Sequence, residues 1–73
     1  MNLSELKAKK RGKILKILDR KEVEIKLISI GICVDEEIMM IKNDFSGAVI
    51  VAIGDNRIVL GRDLSDKIQI EAL

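Results

Sequence analysis

The chain has 73 residues, enough for one small domain, whose core contributes only about 3–5 kcal/mol of net stability. Its single cysteine excludes an intrachain disulfide, and the absence of histidine removes the commonest metal ligand. Phe45 is the only aromatic residue, which argues against proteins that stack nucleic-acid bases on aromatic side chains.

Charge is distributed unevenly along the chain. Residues 1–26 carry nine basic and four acidic residues, whereas residues 27–73 carry four basic and eight acidic residues. Two interpretations are open: solvated faces that keep the protein in solution, or a basic region that steers an acidic partner or an anionic surface. No apolar run is long enough to span a membrane and no signal peptide is evident, so we expect a cytoplasmic protein without membrane insertion.

The N-terminal segment predicts a short helical turn and then a strand. Leu3 and Leu6 lie three residues apart, with Asn2 or Ser4 as the cap. Gly12 predicts a break in the chain. Residues 13–18 depart from strict alternation, which favours a twisted or bulged first strand, with a helix as the alternative.

A helix is predicted over residues 19–31. Asp19 is a suitable N-cap, and Glu22 completes a capping box three residues later. Ile25 lies off the apolar face and is expected to be partly exposed. Gly31 is placed to end the helix in a left-handed conformation. The apolar face consists of Val23, Leu27, Ile28 and Ile30.

The remainder of the chain predicts four short strands. Residues 54–56 are typical of a hairpin turn, and residues 61–67 form a polar break. Closing five short strands on themselves hides the edges of the sheet. We therefore predict a mainly β fold over residues 1–73, a small SH3-like barrel of about five strands with one short helix inserted after the first strand. The four strands are expected at 37–42, 49–53, 57–60 and 68–71.

Catalytic chemistry is poorly supported, so we expect a protein that is not an enzyme. Cys33 has no histidine to activate it, and its simplest interpretation is a small half-buried residue. No phosphate-binding glycine motif occurs. The densest set of candidate metal ligands is Cys33, Asp35 and Glu37, which suits weak binding of a divalent ion such as Fe²⁺, although adjacent acids in a loop are usually only solvated.

Several motifs, in order, resemble the FeoA family of small bacterial ferrous-iron-transport proteins. The resemblance covers nearly the whole chain, beginning with Leu3-Ser4-Glu5-Leu6 and including the helix exit at residues 27–32. Its most specific part is residues 54–62, GDNRIVLGR, which are similar to the family pattern G-x-x-R-[IL]-A-L-G-R. The resemblance implies an SH3-like barrel, a fold that also forms the C-terminal domain of DtxR-like metal regulators.

The function implied by this resemblance is a non-enzymatic accessory role in ferrous iron uptake. The expected partner is the cytoplasmic part of FeoB, a membrane permease with a G domain. We expect Lys9, Lys10, Arg11 and Lys21 to supply charged contacts to that partner. Transition-metal binding, of Fe²⁺ or Mn²⁺, and self-association are left open. The alternative is a small-barrel nucleic-acid-binding module, which the basic first third favours and the acidic remainder opposes.

Overall fold

The protein is described by a computed structural model that covers residues 1–73. Five antiparallel strands form one sheet in the order β4-β3-β2-β1-β5, and a short helix follows the first strand, as the mainly β, SH3-like prediction expected. Neither helix has the length and apolar character needed to cross a membrane. The elements in chain order are a 3₁₀ turn (Leu3–Glu5), β1 (Arg11–Ile17), α1 (Lys21–Ser29), β2 (Glu37–Asn43), β3 (Val49–Ile53), β4 (Asn56–Leu60), α2 (Arg62–Ser65) and β5 (Ile68–Ala72).

The sheet curls around an aliphatic core because alternate residues of its strands point inward. In β3, the residues at both ends and in the middle are buried, and those between them are only half-buried. The pairing register shifts between Ile14 and Lys16 in β1 and between Met40 and Lys42 in β2. Such bulges bend a strand and increase its twist. The predicted bulged first strand is therefore confirmed.

The prediction of a break at Gly12 was wrong, because Gly12 lies inside β1 and is buried. A Cβ atom at this position would lie 2.8 Å from Cδ1 of Ile70 and 3.2 Å from the carbonyl oxygen of Glu71. Glycine here allows the close approach of β5 to β1, and it does not mark a turn.

The start of α1 also differs from the prediction. The helix begins at Lys21, and its N-cap is Arg20, with no side-chain capping hydrogen bond, so the capping box of Asp19 and Glu22 does not form. The Asp19 carboxylate instead accepts a hydrogen bond from the Arg20 amide at 2.7 Å and pairs with Lys67 at 3.3 Å. The Arg20 hydrogen bond and, after it, Lys67 hold the pKa of Asp19 below its ordinary value.

The apolar face of α1 is narrower than predicted. Leu27 is buried and Val23 packs against the core, whereas Ile28 and Ile30 are nearly half exposed. Ile25 is exposed, as expected. The helix end is confirmed, since Gly31 follows it with a φ of 100°.

Candidate partner-binding surface

The loop between β2 and β3 is held by a polar cluster that we call the Arg62 network, made of Arg62, Asn43, Ser4, Leu6 and Gly47. The Asn43 amide nitrogen donates to the carbonyl oxygens of Ser4 and Leu6, at 2.8 and 2.9 Å. Half-buried Arg62 donates to the Gly47 carbonyl at 2.9 Å, to the Asn43 side-chain oxygen at 2.7 Å and to the Ser4 carbonyl at 3.3 Å. The network connects the N-terminal turn, the end of β2 and α2. The charged side chain of Arg62 is therefore engaged in hydrogen bonds within the protein.

The tip of the same loop is fixed by Asp44. Its carboxylate accepts hydrogen bonds from the amides of Ser46 and Gly47, at 3.0 and 2.7 Å. These two bonds, followed by the charges of Arg62 and Lys42, hold the pKa of Asp44 below its ordinary value. Side-chain hydrogen bonds thus define this turn in a chain that has no proline.

The opposite end of β2 and β3 carries a different arrangement on the outer face of the sheet. Arg11 pairs with Met39, Met39 with Ala52, and Ala52 with Arg57, each directly across neighbouring strands. Directly opposed residues share a face of a sheet. Because the neighbours of Met39 and Ala52 along their strands are buried, this row of four, the outer row, faces away from the core.

A groove lies over the outer row. Its larger part, about 440 Å³, is lined by Met39, Ala52, Lys9 and Arg57, among other residues. A second part, about 320 Å³, shares Met39 and Ala52 and continues to Glu37 at the start of β2. Ala52, which lines both parts, has a small side chain and so fills little of the groove. We refer to the two parts together as the outer groove.

The rim of the outer groove carries charges that the fold does not use. Lys9 and Arg57 have no ion pair and no side-chain hydrogen bond, and the only acid that lines their part of the groove is Asp55 at the hairpin tip. On the second part, Arg11 pairs with Glu37 at 3.3 Å, while Glu36 is unpaired. The larger part therefore has an excess of positive charge and the second part an excess of negative charge.

The structure brings together only some of the residues expected to bind a partner. Lys9 and Arg11 both line the outer groove. Lys10 is exposed but does not line it, and Lys21 lies on α1, also outside the groove. Sequence reasoning missed Met39, Ala52 and Arg57. The one signal in the sequence is the pair of consecutive methionines at 39 and 40. Because adjacent strand residues point to opposite faces, one of the two must lie on the outer face of the sheet.

The candidate metal ligands are spread rather than clustered. The Asp35 carboxylate lies 3.8 Å from Lys13, and Glu37 is paired with Arg11 as described above. Cys33 is half-buried, as its simplest interpretation predicted. No group of three or more histidine, cysteine or acidic side chains lies close enough together to hold an ion. Metal binding at Cys33, Asp35 and Glu37 stays a prediction.

The chain matches the model of the FeoA domain over residues 1–72. It is also similar to the crystal structure of an iron uptake regulatory protein (FeoA), at 25% identity and a TM-score of 0.93, over 100% of this chain and 97% of that one. The solution structure of iron(II) transport protein A from Clostridium thermocellum shares 26% identity, with a TM-score of 0.91, over 100% of this chain and 46% of that one.

A manganese-dependent transcriptional repressor shares the fold at 24% identity and a TM-score of 0.88, over 99% of this chain and 40% of the repressor. No curated protein matches the sequence.

Proposed function

The chain belongs to the FeoA domain family, and we propose that it is a non-enzymatic cytoplasmic accessory protein of ferrous iron uptake that binds the cytoplasmic part of a FeoB-type GTPase permease. The observation that carries this proposal is the match of the FeoA domain to residues 1–72. The likeness to the iron uptake regulatory protein over nearly the full length of both chains supports it.

The surface of the domain suits an interaction with another protein. The outer groove is open, has an apolar floor and carries unpaired charges on its rim. Apolar anchors surrounded by charged residues are a common composition of transient protein interfaces. Two of the four basic residues expected to contact the partner, Lys9 and Arg11, lie on this rim.

The proposal is tested by binding of the purified chain to the cytoplasmic region of the permease from the same genome. We expect saturable binding in at least one of four conditions, with and without GTP and with and without Fe²⁺. An unrelated small GTPase serves as the control. Absence of binding in all four conditions would contradict the proposal.

The Fe²⁺ condition also addresses direct metal binding. If the ion binds at Cys33, Asp35 and Glu37, the amide resonances of residues 33–37 will shift or broaden with Fe²⁺ alone, and will broaden with Mn²⁺ alone. Salt-dependent retention on RNA or DNA tests the nucleic-acid alternative, because neutralising phosphates makes affinity fall steeply with salt.

A further inference from the structure

We propose that the outer groove is the docking site for an extended segment of the partner protein, in which one apolar side chain stands between an acidic and a basic residue. The inference rests on the proposed function, since it names the surface and the chemistry by which the permease is recognised.

The length of the groove fits an extended segment. Its two parts follow β2 from Glu37 to Ile41, a stretch of about 13 Å at the rise of a β-strand. An extended peptide of about four residues covers the same distance.

The floor of the groove fits an apolar side chain. Met39 is 39% exposed and pairs across the strands with half-buried Ala52. The floor therefore presents apolar side-chain atoms to the solvent, with the small Ala52 side chain next to the longer Met39 side chain. Methionine is flexible and polarisable, and it adapts to side chains of different shape. An apolar anchor residue of the partner would bury this surface on docking, and that burial would contribute favourably to the free energy of binding.

The charges at the two ends of the outer groove determine which residues should flank the apolar side chain of the bound segment. Lys9 and Arg57 lack partners in the protein and outnumber Asp55 on the larger part, which favours an acidic residue in the ligand. Glu36 is unpaired at the other end, which favours a basic residue. Complementary charges of this kind select the partner and its direction in the groove.

Other parts of the surface fit less well. The outer side of α1 exposes Ile25 and Ile28 with Lys21 on the same side of the helix, but neither concavity of the protein lies there. A nucleic acid fits the groove poorly, because Glu36 and Glu37 would repel its phosphates. A protein segment with both charges is the occupant that matches the whole rim.

The test compares two identical substitutions in binding to the cytoplasmic region of the permease. Lys9→Glu reverses a charge on the rim, and Lys26→Glu reverses one on α1; both side chains are exposed and unpaired. We expect Lys9→Glu to weaken binding at least about tenfold and Lys26→Glu to change it less than about twofold. Equal effects, or a larger effect of Lys26→Glu, would overturn the inference while leaving the proposed function intact.

If the wild-type chain does not bind the permease region, the proposed function fails and the groove is tested alone. The probe is then a short synthetic peptide with glutamates, a central leucine and lysines in that order, followed through the amide resonances of the full chain. Saturable shifts at Met39, Ala52 and Arg57 that disappear in Lys9→Glu support the groove. No saturable shift, or the same shifts with a peptide whose leucine is replaced by serine, would overturn it, as would stronger shifts with a single-stranded oligonucleotide.

Discussion

The two ends of the β2–β3 pair use their charged residues in opposite ways. At the loop end, Arg62 is half-buried and donates three hydrogen bonds within the protein. At the hairpin end, Arg57 lies five residues earlier in the chain, is exposed and has no partner. The same residue type is thus structural at one end and available at the other. We therefore expect partner contacts at the hairpin end, where charged and apolar side chains make no contacts that the fold needs.

The strongest contrast is expected between the two consecutive methionines of β2. Met40 is fully buried in the core, and Met40→Ala should lower the free energy of unfolding by about 2–5 kcal/mol. Met39 faces the outer groove, and Met39→Ala should lower it by less than about 1 kcal/mol. Urea denaturation of both variants measures the difference. Equal losses would mean that Met39 is also part of the core.

A smaller contrast is expected between the two arginines. Arg62→Met removes three charged hydrogen bonds and leaves the Gly47 carbonyl oxygen without its donor, while the Asn43 side-chain oxygen keeps only the Phe45 amide. We therefore expect a loss of about 2–3 kcal/mol in the free energy of unfolding. Arg57→Met breaks no internal contact and should change it by less than about 0.5 kcal/mol. The comparison is made by denaturant unfolding at one pH and salt concentration. A stable Arg62→Met variant would show that the Arg62 network does not hold the loop.

The smallest effect concerns pH and again separates the loop end from the groove. Because the Ser46 and Gly47 amides lower the pKa of Asp44 in the folded state, its ionised form stabilises the fold above the ordinary aspartate pKa of about 3.9. This contribution is lost as the pH falls through the folded-state pKa. Asp44→Asn keeps an acceptor oxygen but lacks the charge.

We therefore expect the wild-type chain to have a higher Tm than Asp44→Asn at pH 7, with the gap closing below about pH 4. Thermal unfolding followed by circular dichroism from pH 7 to pH 3 measures it. A gap that stays constant over this range would contradict the assignment of the stabilisation to the Asp44 carboxylate.

Much of the fold follows from local sequence pattern. The alternation in residues 49–53 and the turn at Gly54 predict the β3–β4 hairpin, and Gly54 indeed has a φ of 58° at the turn. The SH3-like class, the helix after the first strand and the helix end at Gly31 were also predictable. Each of these depends on residues that are close together in the chain.

The predictions that failed depend on residues distant in the chain. Asp19 resembles an N-cap, but its carboxylate pairs with Lys67 from the segment before β5. Gly12 suggests a break in the chain, but the glycine reflects the close contact of this position with Ile70. The short helix α2 lies in what was predicted as a polar break, and its Arg62 acts on the β2–β3 loop.

The candidate site was only half predictable for the same reason. Lys9 and Arg11 stand out as basic residues in the sequence, whereas Ala52 and Arg57 become part of the site only through the pairing register of β2, β3 and β4. Register is set by the whole sheet and is not visible in any one strand.

Docking at the outer groove is tested most directly by a map of the amide chemical shifts of the labelled chain on addition of the permease's cytoplasmic region. If a segment of the permease docks there, the largest changes will cluster at Met39, Ala52 and Arg57, while Asn43 and Arg62 change little. Largest changes at α1, or at the loop held by the Arg62 network, would contradict it.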